Sequence, residues 1–272
     1  MGVGMIEQIQ RFLRYPELIH GVSTRQGGVS KPPHATLNLG FSRPDDPAAV
    51  LENRRRFAEQ VGFNLDDAVL AGQIHGTTVA VVGELQRGRG ASERETTLPP
   101  ADGLVTNQPG LVLWANFADC TPLLFFDPIA QAVGVAHAGW QGTVNNIAKV
   151  VITTMQAQFG SEPANILAAI GPAIGPCCYE VDQPVIGAVE QAFGEHSTHV
   201  LLRQLGKQRP HFDLWAANAH WLLQAGIQPA NLINMNLCTA CHNDRFFSHR
   251  HEAGATGRFA AVIGLCEVRH AV

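Results

Sequence analysis

Charge is scarce in this chain. Asp, Glu, Lys and Arg make up 15% of its 272 residues, and the net charge is −4. No basic run exceeds Arg54-Arg55-Arg56. Nucleic-acid binding rests on clustered cations, so this pattern argues against a nucleic-acid partner. Long apolar runs are missing as well. None approaches the roughly 18 residues of a membrane span, so no membrane partner is expected. The first ten residues, M-G-V-G-M-I-E-Q-I-Q, lack a basic stretch followed by an apolar one, which disfavours a secretory signal. Ile6, standing where a Ser or Thr is needed, disfavours myristoylation. The expected compartment is therefore the cytoplasm. In that setting Cys120, Cys177, Cys178, Cys238, Cys241 and Cys266 are expected as thiols or metal ligands rather than disulfides. Internal repeats and linkers are absent too. Hydrophobic residues, at 46%, suffice for a core, and one α/β domain over residues 1–272 is expected.

Helix signals alternate with clustered strands. Asp46-Pro47 opens a helix, with Asp as N-cap and Pro at the first helical position. Leu51, Phe57, Ala58 and Val61 mark its apolar face, and Gly62 closes it. Gly142-Thr143 starts a helix expected to run unbroken to Phe159. Further helices are expected over Pro184–Phe193 and Asp213–Gln224. Strands are expected over residues 18–24, 104–106, 111–115, 166–170, 232–237 and 259–265. Val69 to Val82 is strand-like but interrupted by Gly72 and by Gln73-Ile74-His75-Gly76. Gly83 to Pro100 is polar and glycine-rich, the best candidate for a mobile loop. Because strands cluster as well as alternate with helices, a mixed sheet is expected rather than a βαβ barrel.

The chain is organised around Ala118 to Trp140. Cys120–Phe126 and Gln131–His137 read as two strands, and Asp127-Pro128-Ile129-Ala130 carries type I turn residues. With Asp127 facing Ala130, Cys120 lies directly opposite His137. Such neighbours have Cβ atoms roughly 4.5–5.5 Å apart, close enough to share a metal ion; a bulge would shift the pairing by one. His75, in Q-I-H-G, adds a third donor. One Cys and two His can hold zinc and leave a fourth position open. Asp119, beside Cys120, is a candidate proton carrier or outer partner. The plain alternative is a buried thiol with two strand-end histidines.

Three further sets carry less specific signals. Cys238-Thr-Ala-Cys241, followed by His242, His249 and His251, suits half of a structural zinc site or a redox pair. Without a second matched pair, ordinary strand-end thiols are the plain reading. Gly171 to Glu180, G-P-A-I-G-P-C-C-Y-E, suits a pocket wall or a structural turn. In extended chain its adjacent Cys177 and Cys178 diverge, so one metal is not expected to take both. Arg25, Arg250 and Arg258 lie beside turns and suit phosphate or carboxylate.

Taken together the motifs resemble the laccase-domain family. It is also described as multicopper polyphenol oxidase-like, as purine nucleoside phosphorylase and, in bacteria, as peptidoglycan editing factor. The matching stretches are S-T-R-Q-G-G-V-S, L-N-L-G, Q-I-H-G, A-D-G-L-V-T, A-D-C-T-P, H-A-G-W, G-P-A-I-G-P-C-C-Y-E-V, C-T, F-F-S-H-R and T-G-R, in order from about residue 18 to 265. The resemblance implies a four-layer α/β/β/α single domain with mixed sheets, with zinc (or copper) at His75, Cys120 and His137. One departure is Gln141, where the family usually has Arg after H-A-G-W.

The resemblance further implies phosphorolysis of adenosine, inosine and methylthioadenosine to base and ribose 1-phosphate, with adenosine deamination. Arg25 is then a candidate for phosphate. A second reading is a cytoplasmic hydrolase that removes a wrong amino acid, such as Ser, from a nucleotide-linked peptidoglycan precursor. A third is copper-dependent phenol oxidation. It sits poorly with 12 His and no H-x-H pair besides His249-x-His251. A fourth is a metal-stabilised interaction protein without turnover. The expected state is a monomer or weak homodimer.

Overall fold

The computed structural model describes residues 4–202 and 209–266. The strands in chain order are β1 Ile6–Glu7, β2 Leu18–Ser23, β3 Ala68–Val69, β4 Val79–Val81, β5 Gly103–Thr106, β6 Val112–Phe117 and β7 Thr121–Asp127. They continue with β8 Ala132–Ala138, β9 Leu167–Ile170, β10 Leu201–Leu202, β11 His211–Phe212, β12 Leu232–Asn234 and β13 Phe259–Leu265. The α-helices are α1 Pro47–Val61, α2 Trp140–Val144, α3 Ile147–Phe159, α4 Gln183–Phe193, α5 Ser197–Val200 and α6 Leu214–Gln224.

Side-chain alternation places the strands in two stacked sheets. Along β13, Phe259, Ala261 and Ile263 enter one apolar cluster, and Ala260 and Val262 enter another. β7 divides likewise. Leu124 and Phe126 join the cluster of Phe259, whereas Leu123 and Phe125 face the opposite way. Strands apolar on both faces must be covered on both faces. The first sheet runs β1-β2-β13-β6-β3 and the second β12-β9-β7-β8-β5-β4. Both are mixed, because β3 pairs parallel with β6, β12 with β9, and β4 with β5. Phe57 of α1 packs edge-on to Trp114, with ring centroids 5.2 Å apart, over the outer face of the first sheet. Ile147, Val151 and Met155 of α3 cover the outer face of the second, with Leu222 of α6. Each such fully buried large side chain contributes about 1.5–3 kcal/mol. The layers run helix, sheet, sheet, helix, as the resemblance implied.

Local chemistry explains the element ends. The Asp46 side chain accepts from the Ala48 amide to cap α1, and Gly62 ends that helix at φ 99°. The helix expected from Gly142 to Phe159 is instead two. Asn146 adopts φ 57°, and its side chain accepts from the Lys149 amide, so the chain breaks and is capped afresh before α3. The polar stretch expected as a mobile loop is tied down. Arg54 of α1 donates to the carbonyls of Gly90 and Ala91 at 2.6 and 2.7 Å.

The central hairpin carries a correction. Asp127 pairs with Ala132, not Ala130, and His137 pairs with Pro122, not Cys120. Asp127 Oδ1 accepts from the amides of Ile129 and Ala130, stretching the turn to four residues before Gln131 turns at φ 48°. The register error is two residues, so no side chain changes face. Cys120 and His137 remain on the inter-sheet side of the second sheet, as diagonal rather than direct neighbours.

Candidate metal centre

His75, Cys120 and His137 meet at one end of the space between the sheets. Each offers one donor atom, and these atoms all lie within 4.8 Å of one another. Two left-handed residues aim the donors: His75 at φ 64° and Asp119, just before Cys120, at φ 84°. A close approach completes the wall. A Cβ on Gly139 would lie 3.0 Å from Cys120 Sγ and 3.1 Å from His75 Cδ2, so only glycine leaves both donors where they are.

Asp102, at the start of β5, holds the centre together. Its carboxylate accepts from the amides of Ile74, His75 and Gly76 at 3.2, 2.9 and 2.7 Å, which fixes the Q-I-H-G turn. It also lies 2.8 Å from His137 Nδ1. With Nδ1 so engaged, Nε2 is the His137 atom left for a metal. Sequence reasoning missed Asp102, although A-D-G lay within a matched stretch. Its signal was a carboxylate placed directly before a buried strand.

Cys120 and His137 charge each other. Burial alone would keep Cys120 a neutral thiol, but the charge and hydrogen bond of His137, and then those of His75, bring it down to about 6. Burial likewise opposes charge on His137, and Cys120 together with Asp102 overcomes it, to about 9. Asp102 stays below the usual carboxylate range against its burial because His137 and the Gly76 and Ile74 amides bond its charged form. A pre-formed thiolate, a carboxylate-oriented imidazole and a second imidazole are a donor set suited to zinc or copper.

The centre opens into a cavity of about 450 Å³ that also reaches Phe41, Gln73, Asn116, His249 and Arg258. Gln73 exchanges two hydrogen bonds with the Asn116 backbone, at 2.8 and 2.9 Å, bracing that wall. Burial is the main force holding His249 below its ordinary value, with Arg258 adding to it. Burial and Arg43 lower Arg258 to about 10, and the Cys120 and Asp119 charges oppose this.

The other expected residues divide. Arg258 lines the cavity; Arg25 and Arg250 do not. Arg25 donates to the carbonyls of Ala35 and Asn243 and pairs with Glu252 at 3.1 Å. Arg250 donates to the Glu180 carbonyl and stacks over Tyr179. Asp119 spends both carboxylate oxygens, accepting from Thr239 Oγ1 and the Arg250 amide at 2.6 Å each, and so ties three segments together. Gln141 sits exposed on the first turn of α2. The expectation that Cys177 and Cys178 diverge is overturned: both stand beside Cys238 and Cys241 in a separate cluster.

Fold and site define a class: a two-sheet α/β/β/α protein with a Cys-His-His donor set in the wall of a cavity. The family model described as multi-copper polyphenol oxidoreductase laccase matches residues 19–266, and the chain belongs to that family. A purine nucleoside phosphorylase YlmD from Geobacillus stearothermophilus is 41% identical over 246 residues, covering 90% of this chain and 89% of that protein. A protein named adenosine deaminase RL5, from an unknown prokaryotic organism, is 37% identical over 248 residues, covering 91% of this chain and 94% of its own. A crystal structure of the Bacillus licheniformis hypothetical protein YfiH superposes with a TM-score of 0.91 at 37% identity, covering 96% of each chain.

Proposed function

We infer that this protein is a purine nucleoside enzyme that holds zinc at His75, Cys120 and His137, cleaves nucleosides with phosphate and deaminates adenosine. The observation that carries this reading is the convergence of three metal donors on a cavity whose wall also holds a cation, Arg258, and a histidine, His249. The names of two relatives, a phosphorylase and a deaminase, support it. When bound, a divalent ion here supplies a Lewis acid and a means of ionising water near neutral pH.

The chain's own groups fit both reactions. In phosphorolysis a phosphate oxygen bonds to C1′ as the bond from C1′ to the base breaks, and the base leaves with that electron pair and needs a proton. Three arginines line the cavity. Arg54 is engaged by three carbonyls and Arg94 stands exposed, so Arg258 is the one assigned to the phosphate, and Arg25, already spent on Glu252 and two carbonyls, is not needed for it. His249, kept neutral, offers an N–H toward the departing base rather than a competing charge. Asp102 positions His137 in either reaction. In deamination, water adds at C6 of the purine and ammonia leaves.

Inosine incubated with and without phosphate tests the reading. Hypoxanthine should form with phosphate, together with ribose 1-phosphate, and adenosine should release ammonia. Hypoxanthine release that is absent, or indifferent to phosphate, overturns the phosphorylase assignment. Serine release from a nucleotide-linked peptidoglycan precursor in its place would favour an editing hydrolase. Two His and one Cys also suit copper, and a coloured, copper-loaded protein that oxidises phenols would favour the oxidase reading.

A further inference from the structure

Outside the cavity, a second cluster of donors has formed from segments far apart in sequence. Cys177, Cys178, Cys238 and Cys241 place their sulfur atoms within 4.8 Å of one another. Cys241 Sγ lies 3.5 Å from Cys177 Sγ and 3.4 Å from Cys178 Sγ. In a tetrahedral zinc site with Zn–S near 2.3 Å, neighbouring sulfurs stand about 3.8 Å apart. The two short contacts fall within about 0.4 Å of that edge, and no pair exceeds 4.8 Å. We propose that these four cysteines form a second, structural site for a thiophilic divalent cation such as Zn²⁺, separate from the Cys-His-His centre.

Two tight turns bring the four thiols together. After Pro176 the amides of Cys178 and Tyr179 both donate to the Gly175 carbonyl at 3.0 Å. The segment is therefore a tight turn rather than extended chain, and adjacent thiols converge instead of diverging. A second turn, closed by the His242 amide on the Cys238 carbonyl at 2.9 Å, brings Cys238 and Cys241 together. Buried Cys238 Sγ accepts from the amides of Gly175 and Cys241, at 3.2 and 3.5 Å. Amide donors of this kind stabilise a thiolate acting as a metal ligand. Four thiols so close cannot all ionise without a cation between them, and two cysteines from each of two turns make a complete tetrathiolate set.

The site would act on the first centre through Asp119. Asp119 takes an amide donor from Ile174 on one clamped turn and the Thr239 hydroxyl on the other, and it immediately precedes Cys120. A cation holding the two turns together thus holds the residue that aims Cys120.

The test uses full-length protein. Wild type should bind two equivalents of Zn²⁺, and Cys120→Ala one. Adding Cys238→Ser and Cys241→Ser to Cys120→Ala should abolish binding. Co²⁺ added to Cys120→Ala should give the intense sulfur-to-metal charge-transfer absorption of a thiolate site, a readout independent of whether the multiple variant folds. One equivalent in wild type and none in Cys120→Ala overturns the proposal. So does loss of two native thiols to a disulfide under mild oxidation in the presence of excess Zn²⁺. Because Cys120→Ala isolates this site, failure of the nucleoside reading leaves the result unaffected.

Discussion

At the scale of residues, Asp102 sets the chemistry of the centre. It fixes the turn carrying His75 and the tautomer of His137 with one carboxylate. The opposed shifts of Cys120, down to about 6, and His137, up to about 9, have a consequence for metal binding. Between those values the metal-free site is a thiolate beside an imidazolium, so a metal must displace one proton from His137. Affinity should therefore rise with pH, about tenfold per unit from 6 to 9, and level off above 9. The slope should steepen below 6, where Cys120 also carries a proton. Competition with a chelator of known pH dependence measures this. In Asp102→Asn the charge sustaining His137⁺ is lost, so the plateau should begin at lower pH, and maximal affinity should fall about 10–100-fold. A wild-type affinity independent of pH from 6 to 9 contradicts the proton inventory.

At the scale of elements, much was legible because physical periods are strict. Phe259–Leu265 and Thr121–Asp127 were legible as strands, but both are apolar on each face, so only the packing shows which residues face between the sheets. The hairpin register was misplaced by two because the Asp127 side chain extends the turn, a bond no pattern announces. The site survived that error only because two residues is one full strand period. The break at Asn145-Asn146 was hidden because Asn tolerates the left-handed conformation without a glycine to mark it. The four-cysteine cluster was hidden for a different reason: its two turns meet only through tertiary folding. Arg54 shows the same limit. In sequence it is merely one of three consecutive arginines, yet it is 2% exposed, between the rings of Phe41 and Trp114. It stitches α1 to the segment 83–100 by donating to Leu39, Gly90 and Ala91. Arg54→Ala leaves three carbonyls unmet and a void, at a cost on the order of 3 kcal/mol or more. Urea unfolding should show that loss, and limited proteolysis should begin within 83–100. A loss below about 1 kcal/mol would mean that water replaces the arginine without penalty.

At the scale of the whole molecule, two sheets bury a core between them, and the three candidate metal donors stand at one end of it. β7 and β8 deliver Cys120 and His137, the loop before β4 delivers His75, and the chain entering β5 delivers Asp102. Among the described residues no helix is long and apolar enough to cross a membrane. The central claim is that one metal centre, His75, Cys120 and His137, carries the nucleoside chemistry. The most direct measurement follows hypoxanthine release from inosine and phosphate by wild type and Cys120→Ala, with bound metal determined on the same samples. The account predicts that Cys120→Ala loses one metal equivalent and at least about 100-fold in rate, with its secondary structure intact. A variant that keeps its turnover while lacking that metal would contradict it.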